Sequence, residues 1–115
     1  SSQDIERWHI NEMKSLLSRF SGVKFIFDDV KQKYYPVLRD AITSFRSKNE
    51  GKPLVVIDDT PFIDFDILDY PVNDIEEIFL LKGSDAAIWG PKASNGIIVI
   101  ITQRGKSTKI EQKEE

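Results

Sequence analysis

Apolar positions recur at helical spacing near the start of the chain. Ile5, Trp8, Met13, Leu16, Leu17 and Phe20 fall three to five residues apart, with polar residues filling most of the gaps. That spacing predicts a helix over residues 3–20 with one apolar stripe. Asn11 can also cap a second, separate helix from Glu12 to Arg19. Ser21-Gly22 stops the helix, since glycine enters the left-handed cap conformation at little cost. Val23 to Phe27 then reads as a strand closed by Asp28-Asp29. Tyr34 to Leu38 reads as another, which Pro36 confines to an edge or a bulge. The polar stretch Ser44 to Lys52 reads as a loop.

The second half changes character. Leu54-Val55-Val56-Ile57, Ile78-Phe79-Leu80-Leu81 and Ile97-Ile98-Val99-Ile100-Ile101 are continuous apolar runs of strand length. Continuous runs predict strands covered on both faces, where alternation would predict one wet face. Residues 82–96 separate the last two runs and carry a short helix begun at Ser84-Asp85 and closed by Gly90-Pro91. A connection of that length permits a crossover, so these two strands are expected to be able to run parallel. Asp74 is placed to cap a helical turn, Ile75-Glu76-Glu77, ahead of its strand. Together the elements predict an α+β fold, a small mixed sheet with short covering helices.

Composition narrows the functions. The chain has 115 residues, enough for one domain. No apolar run approaches the roughly 18 residues of a membrane helix, so this domain is not expected to insert in a membrane. A formal charge of −3 argues against nucleic acid as a partner. With no cysteine there is no thiolate nucleophile, disulfide or thiolate metal site.

Candidate chemistry is sparse. His9 is the only histidine, so a Ser–His–Asp triad would have to use it, and a half-exposed helix histidine beside Trp8 is the better account. Asp58, Asp59, Asp64, Asp66 and Asp69 are close enough in sequence to suggest calcium, but no glycine sits mid-loop and no glutamate closes it. The interleaved Phe62, Ile63, Phe65, Ile67 and Leu68 suggest instead a loop that tucks its apolar side down. Gly83 to Gly90 followed by Lys92 fails as a phosphate loop, because six residues separate the glycines and Pro91 intervenes before the lysine. Lys24, Lys31 and Lys33 among the aromatics of 23–35 hint at stacking on RNA, yet the glycines of such motifs are missing. No enzyme, cofactor or metal is expected.

Four blocks in order over residues 53–106 carry a resemblance. Pro53-Leu54-Val55-Val56-Ile57-Asp58 resembles the "PLvVIDG" strand of plug domains from TonB-dependent outer-membrane receptors, the starch-utilisation type in particular. Asn73 to Ile78 followed by Leu80-Leu81-Lys82-Gly83 resembles "DIESIEVLKG". Ala86 to Gly90 is similar to "AAIYG", and Ala93 to Ile98 with Thr102 to Gly105 is similar to "GANGVI…TKRG". More loosely, Leu16 to Val23 sits where the family has its helix-to-strand turn, and Leu38-Arg39-Asp40 where it has "IRG". Gly83, Gly90 and Gly96 fall at the ends of strands and helices, as structural turn positions.

The resemblance implies a plug-like domain over 1–106 with a polar tail over 107–115, exported to the outer membrane or periplasm of a Gram-negative cell. It implies a plug that occludes a β-barrel of the same longer chain and takes part in substrate uptake. A TonB-type energy transducer would be a second partner, through a Ton box that precedes the plug; only Ser1 to Gln3 stand there, so that box is expected to be absent here. The chain also lacks an initiator Met and a leader, and reads as mature or excised from something longer. Candidate apical loops are Ser44–Lys52 and Thr60–Tyr70. Arg39 matches the family arginine and is the candidate for a charge contact with the barrel wall. Three departures weigh the other way: aspartates replace glycine at Asp59 and Asp40, and Phe79 replaces an acid. They support an alternative, a plug-like interaction or spacer module in an exported protein without a barrel, with Phe79 as an apolar docking point.

Overall fold

The structure, a computed structural model, describes residues 2–39 and 51–104, without the side chains of Ser2 and Glu6. Most of the expected loop 44–52, Asp40 and the tail 107–115 lie outside the described residues. The chain opens with helix α1 (Ser2–Leu17), followed by a hairpin of β1 (Val23–Asp28) and β2 (Lys33–Leu38). Then come β3 (Leu54–Ile57), β4 (Thr60–Phe62), two 3-10 turns, β5 (Ile75–Leu81), the short helix α2 (Ser84–Ala87), a 3-10 turn at Pro91–Ala93, and β6 (Ile97–Thr102). The hairpin is a sheet of its own, and the other four strands form a mixed sheet in the order β4-β3-β6-β5. The α+β class expected from the hydrophobic pattern is the one observed.

Helix α1 is a single helix that runs through Asn11, and it stops at Leu17, earlier than the apolar stripe suggests. The amide and hydroxyl of Ser18 both donate to the Lys14 carbonyl, and the next two amides reach back only three residues, tightening the end. Gly22 at φ +84° turns the chain into β1. Only the C-terminal half of the stripe is used: Met13 and Leu17 are fully buried, while Ile5 and Trp8 are exposed. In the hairpin, the Arg39 amide donates to the Gly22 carbonyl. Bonded rungs alternate from there, which puts Phe25 opposite Pro36 at a non-bonded rung. Pro36 therefore removes no ladder bond.

β3 and β6 lie in the middle of the mixed sheet and run parallel. They are buried almost throughout, as continuous apolar runs require. β5 has the same composition but is an edge strand, half exposed along its length. It pairs with β6 antiparallel, Leu81 opposite Ile97, which corrects the expected possibility of a parallel crossover. The helical pieces in residues 82–96 are four and three residues long. At about 1.5–2 Å per residue they are too short to return along a strand of about 20 Å. The segment instead rounds the end of the sheet and closes over one face.

The turn expected at Ile75-Glu76-Glu77 is also different. A 3-10 turn at Val72–Asp74 precedes the strand, and β5 already begins at Ile75. Its register then shifts between Ile75 and Glu77, leaving Glu76 as an extra residue. The bulge explains why Ile75 and Ile78, three apart, both pack on the same core. That core joins Met13, Leu17, Leu38, Ile67 and Leu68 to Val55, Ile98 and Ile100 on one face of the sheet. On the other face Leu54, Val56, Ile97 and Val99 meet Ala86 and Ala93, with Trp89 at the margin.

Candidate functional site

The most organised polar constellation lies where the hairpin meets the loop after β4. Asp28 ends β1 and is nearly buried. One of its carboxylate oxygens accepts from the amides of Val30 and Lys31, at 2.9 and 3.2 Å, which shapes the hairpin turn. The other accepts from Lys52 Nζ at 2.9 Å. Lys52 also donates to Asp64 at 2.9 Å and lies over the Tyr35 ring, 4.8 Å from its centroid. Lys31 reaches Asp64 at 3.2 Å and Asp66 at 3.1 Å. Lys33 reaches Asp66 at 3.5 Å and Asp69 at 2.7 Å. Each lysine is thus held between two carboxylates, in a ladder from Asp28 to Asp69.

The ladder shifts its members in the expected directions. Burial alone would lower the Lys52 ammonium, whose side chain is only 15% exposed. Its hydrogen bonds to Asp28 and Asp64 outweigh that and raise its pKa. The same contacts hold the Asp28 and Asp64 carboxyls below the usual range. Asp66 and Asp69 raise Lys31 and Lys33 respectively, mainly through hydrogen bonds.

This arrangement accounts for two motifs that sequence alone left separate. Three of the acids considered for calcium, Asp64, Asp66 and Asp69, pair with two of the lysines considered for RNA, Lys31 and Lys33. Among the described residues no group of three or more His, Cys, Asp or Glu side chains converges as a metal site would require. Asp58 and Asp59 stand apart from the ladder, in the β3–β4 turn. Both have positive φ, +47° and +69°. The Asp58 carboxylate accepts from the Thr102 amide at 2.9 Å and from the Thr102 hydroxyl, tying the turn to the end of β6. Nothing nearby in sequence marks Lys52 as a member of the ladder. A period-two match between Lys31/Lys33 and Asp64/Asp66 was the available signal.

The other singled-out residues are dispersed. Arg39 is exposed at the end of β2. Phe79 lies mid-way along β5 opposite Val99, 38% exposed, on the face that α2 and the Pro91–Ala93 turn cover only in part. His9 is half-buried beside Trp8, ring centroids 5.5 Å apart. Gly83 and Gly90 flank α2 at φ +58° and +80°, where a side chain would meet no neighbour but the backbone conformation itself disfavours one. Gly96 immediately precedes β6 and has φ +88°. No ligand chemistry unites these positions, and among the described residues no nucleophile, base and oxyanion donor converge.

A comparison with known families resolves what the geometry leaves general. The family model of the TonB-dependent receptor plug domain matches residues 1–97, α1 through the first residue of β6. No solved structure matches the chain. Domains of this family are transport components of receptors and not enzymes. With more than four-fifths of its length matched, the chain belongs to the TonB-dependent receptor plug domain family.

Proposed function

We propose that this chain is the plug of a TonB-dependent outer-membrane transporter, closing its β-barrel and taking part in substrate uptake. The observation that carries the reading is the family match over residues 1–97. The fold supports it: two cores on a mixed sheet make a unit able to stay folded as an insert. The four motif blocks favour the starch-utilisation type of receptor. Residues 1–106 form the plug and 107–115 lead out of it. The host is a Gram-negative cell, and the domain is exported to the outer membrane, facing the periplasm. The energy-transducing partner acts through a segment N-terminal to the fold, paired as an added strand.

Arg39 and Phe79 are the proposed barrel contacts. Both are exposed, and Phe79 is an aromatic on a partly covered sheet face, the kind of position that a partner surface fills. The same exposure serves the alternative reading, in which the domain docks a different protein and no barrel is involved. A photo-crosslinking residue at position 39 or 79 in the full-length protein separates the two. The proposal expects intramolecular products mapping to barrel strands. Products joining only a second protein would refute it and favour the barrel-less module.

A further inference from the structure

The attachment of the β1–β2 hairpin to the body changes along its length. At the root, Val37 and Leu38 are buried, and Leu38 packs in the core with Met13 and Leu17. At the tip the contacts are charged. Lys31 and Lys33 meet Asp64, Asp66 and Asp69, and Lys52 bridges Asp28 to Asp64. Tyr34 lies under Lys14 of α1, with the ammonium 4.5 Å from the ring centroid. Among the described residues no strand pairing joins this sheet to the other. Between tip and loop lies a cavity of about 20 Å³, walled in part by Asp28, Tyr35, Lys52, Asp64 and Phe65. That is room for one water.

We infer that residues 28–34 form a strap, closed over the 64–69 loop by its charge ladder, which opens as a unit while the root and the mixed sheet stay in place. The inference goes beyond the plug reading and holds whether or not a barrel surrounds the domain. Pairs as exposed as Lys31–Asp64 and Lys33–Asp69 are individually weak. At about 1 M salt the screening length falls to about 3 Å, so the exposed Lys31 and Lys33 rungs lose much of their attraction, while the largely buried Lys52–Asp28 pair is screened less. The apolar root does not weaken under the same condition, because its burial carries no charge. Salt therefore acts on one end of the hairpin alone.

The absence of cysteine makes the test clean. Spin labels on the 115-residue chain at Val30→Cys and Ile63→Cys, both exposed positions, report the strap-to-loop distance by pulsed electron resonance. Labels at Lys24→Cys and Ile63→Cys report the root. Raising salt from about 0.05 to 1 M is expected to add a longer-distance population to the first pair and leave the second unchanged. Lys52→Met is expected to raise the open fraction about tenfold, by removing two charge-assisted bonds. Reversing one rung, Lys33→Asp with Asp69→Lys, is expected to close what Lys33→Asp alone opens. Identical distributions at both salts would overturn the inference. So would lengthening of both pairs together, since the hairpin would then move with the whole fold. The salt series needs no charge variant, so it decides the matter even where Lys52→Met does not fold.

Discussion

Two adjacent aspartates in the β3–β4 turn should respond to the same substitution with opposite signs. Asp58 and Asp59 both occupy the left-handed region. That region costs an ordinary side chain about 1–2 kcal/mol, and aspartate somewhat less. Glycine removes the strain but adds freedom to the unfolded chain, roughly 0.5–1 kcal/mol. At Asp59, which is exposed and accepts no hydrogen bond from β6, these are the main terms, and Asp59→Gly should be neutral or stabilising by up to about 1 kcal/mol. At Asp58 the same small backbone gain is set against two bonds to Thr102. Charge-assisted bonds contribute about 1.5–3 kcal/mol when buried, and less at this half-buried site. Asp58→Gly should therefore destabilise by about 2 kcal/mol. Urea denaturation measures both, and in a domain of this size each kcal/mol moves the melting point by about 3–6 °C. Equal effects at the two positions would refute the assignment of Asp58 as the tie between the turn and β6, as would stabilisation by Asp58→Gly.

Acid and alkali should destabilise through the same ladder. Asp28 and Asp64 have folded pKa values below 3.8, so their contribution is complete above that pH and is lost as pH falls through the lower folded values. Lys31, Lys33 and Lys52 have folded values above 10.5, so theirs is complete below that pH and is lost as pH rises through the raised values. A melting-temperature profile from about pH 2 to 12 should be flat in the middle, with both limbs shallower in Lys52→Met. Deleting Glu76 should cost no more than about 1 kcal/mol in chemical denaturation, because it turns the bulge into regular alternation with Ile75 two positions from Ile78 and still facing the core. Phe79→Ser should cost about 1–2 kcal/mol in the isolated domain, against about 3–5 kcal/mol for a fully buried aromatic, because more than a third of the residue is exposed. A loss in that buried range would identify Phe79 as core and end its role as a contact.

The sequence made the inner strands legible because burial on both faces leaves no polar position to alternate with, as in Ile97 to Ile100. It did not distinguish β5, equally apolar over Ile78 to Leu81, as an edge, since the number of neighbours a strand has is decided by the rest of the sheet. β4 was hidden altogether. It has three residues, one of them Pro61, and its turn lacks the glycine that marks a tight hairpin. The half-used stripe of α1 shows a different limit: periodicity assigns Ile5 and Trp8 to the apolar side of the helix, but only packing decides how far the core extends beneath it. The charge ladder was the least legible feature. Lys31 and Lys33 find acids 33 to 36 residues away, a separation at which no local rule operates. The family, by contrast, was legible from motif order alone, because its glycine-bounded blocks mark ends of elements.

We propose above all that this domain closes a barrel. Single-channel conductance in a planar bilayer tests it most directly, using the full-length protein and a variant lacking residues 1–104. The full-length protein is expected to be closed and the variant to show a large, steady conductance. Equal conductance in both would contradict it, and so would a full-length protein that forms no membrane barrel.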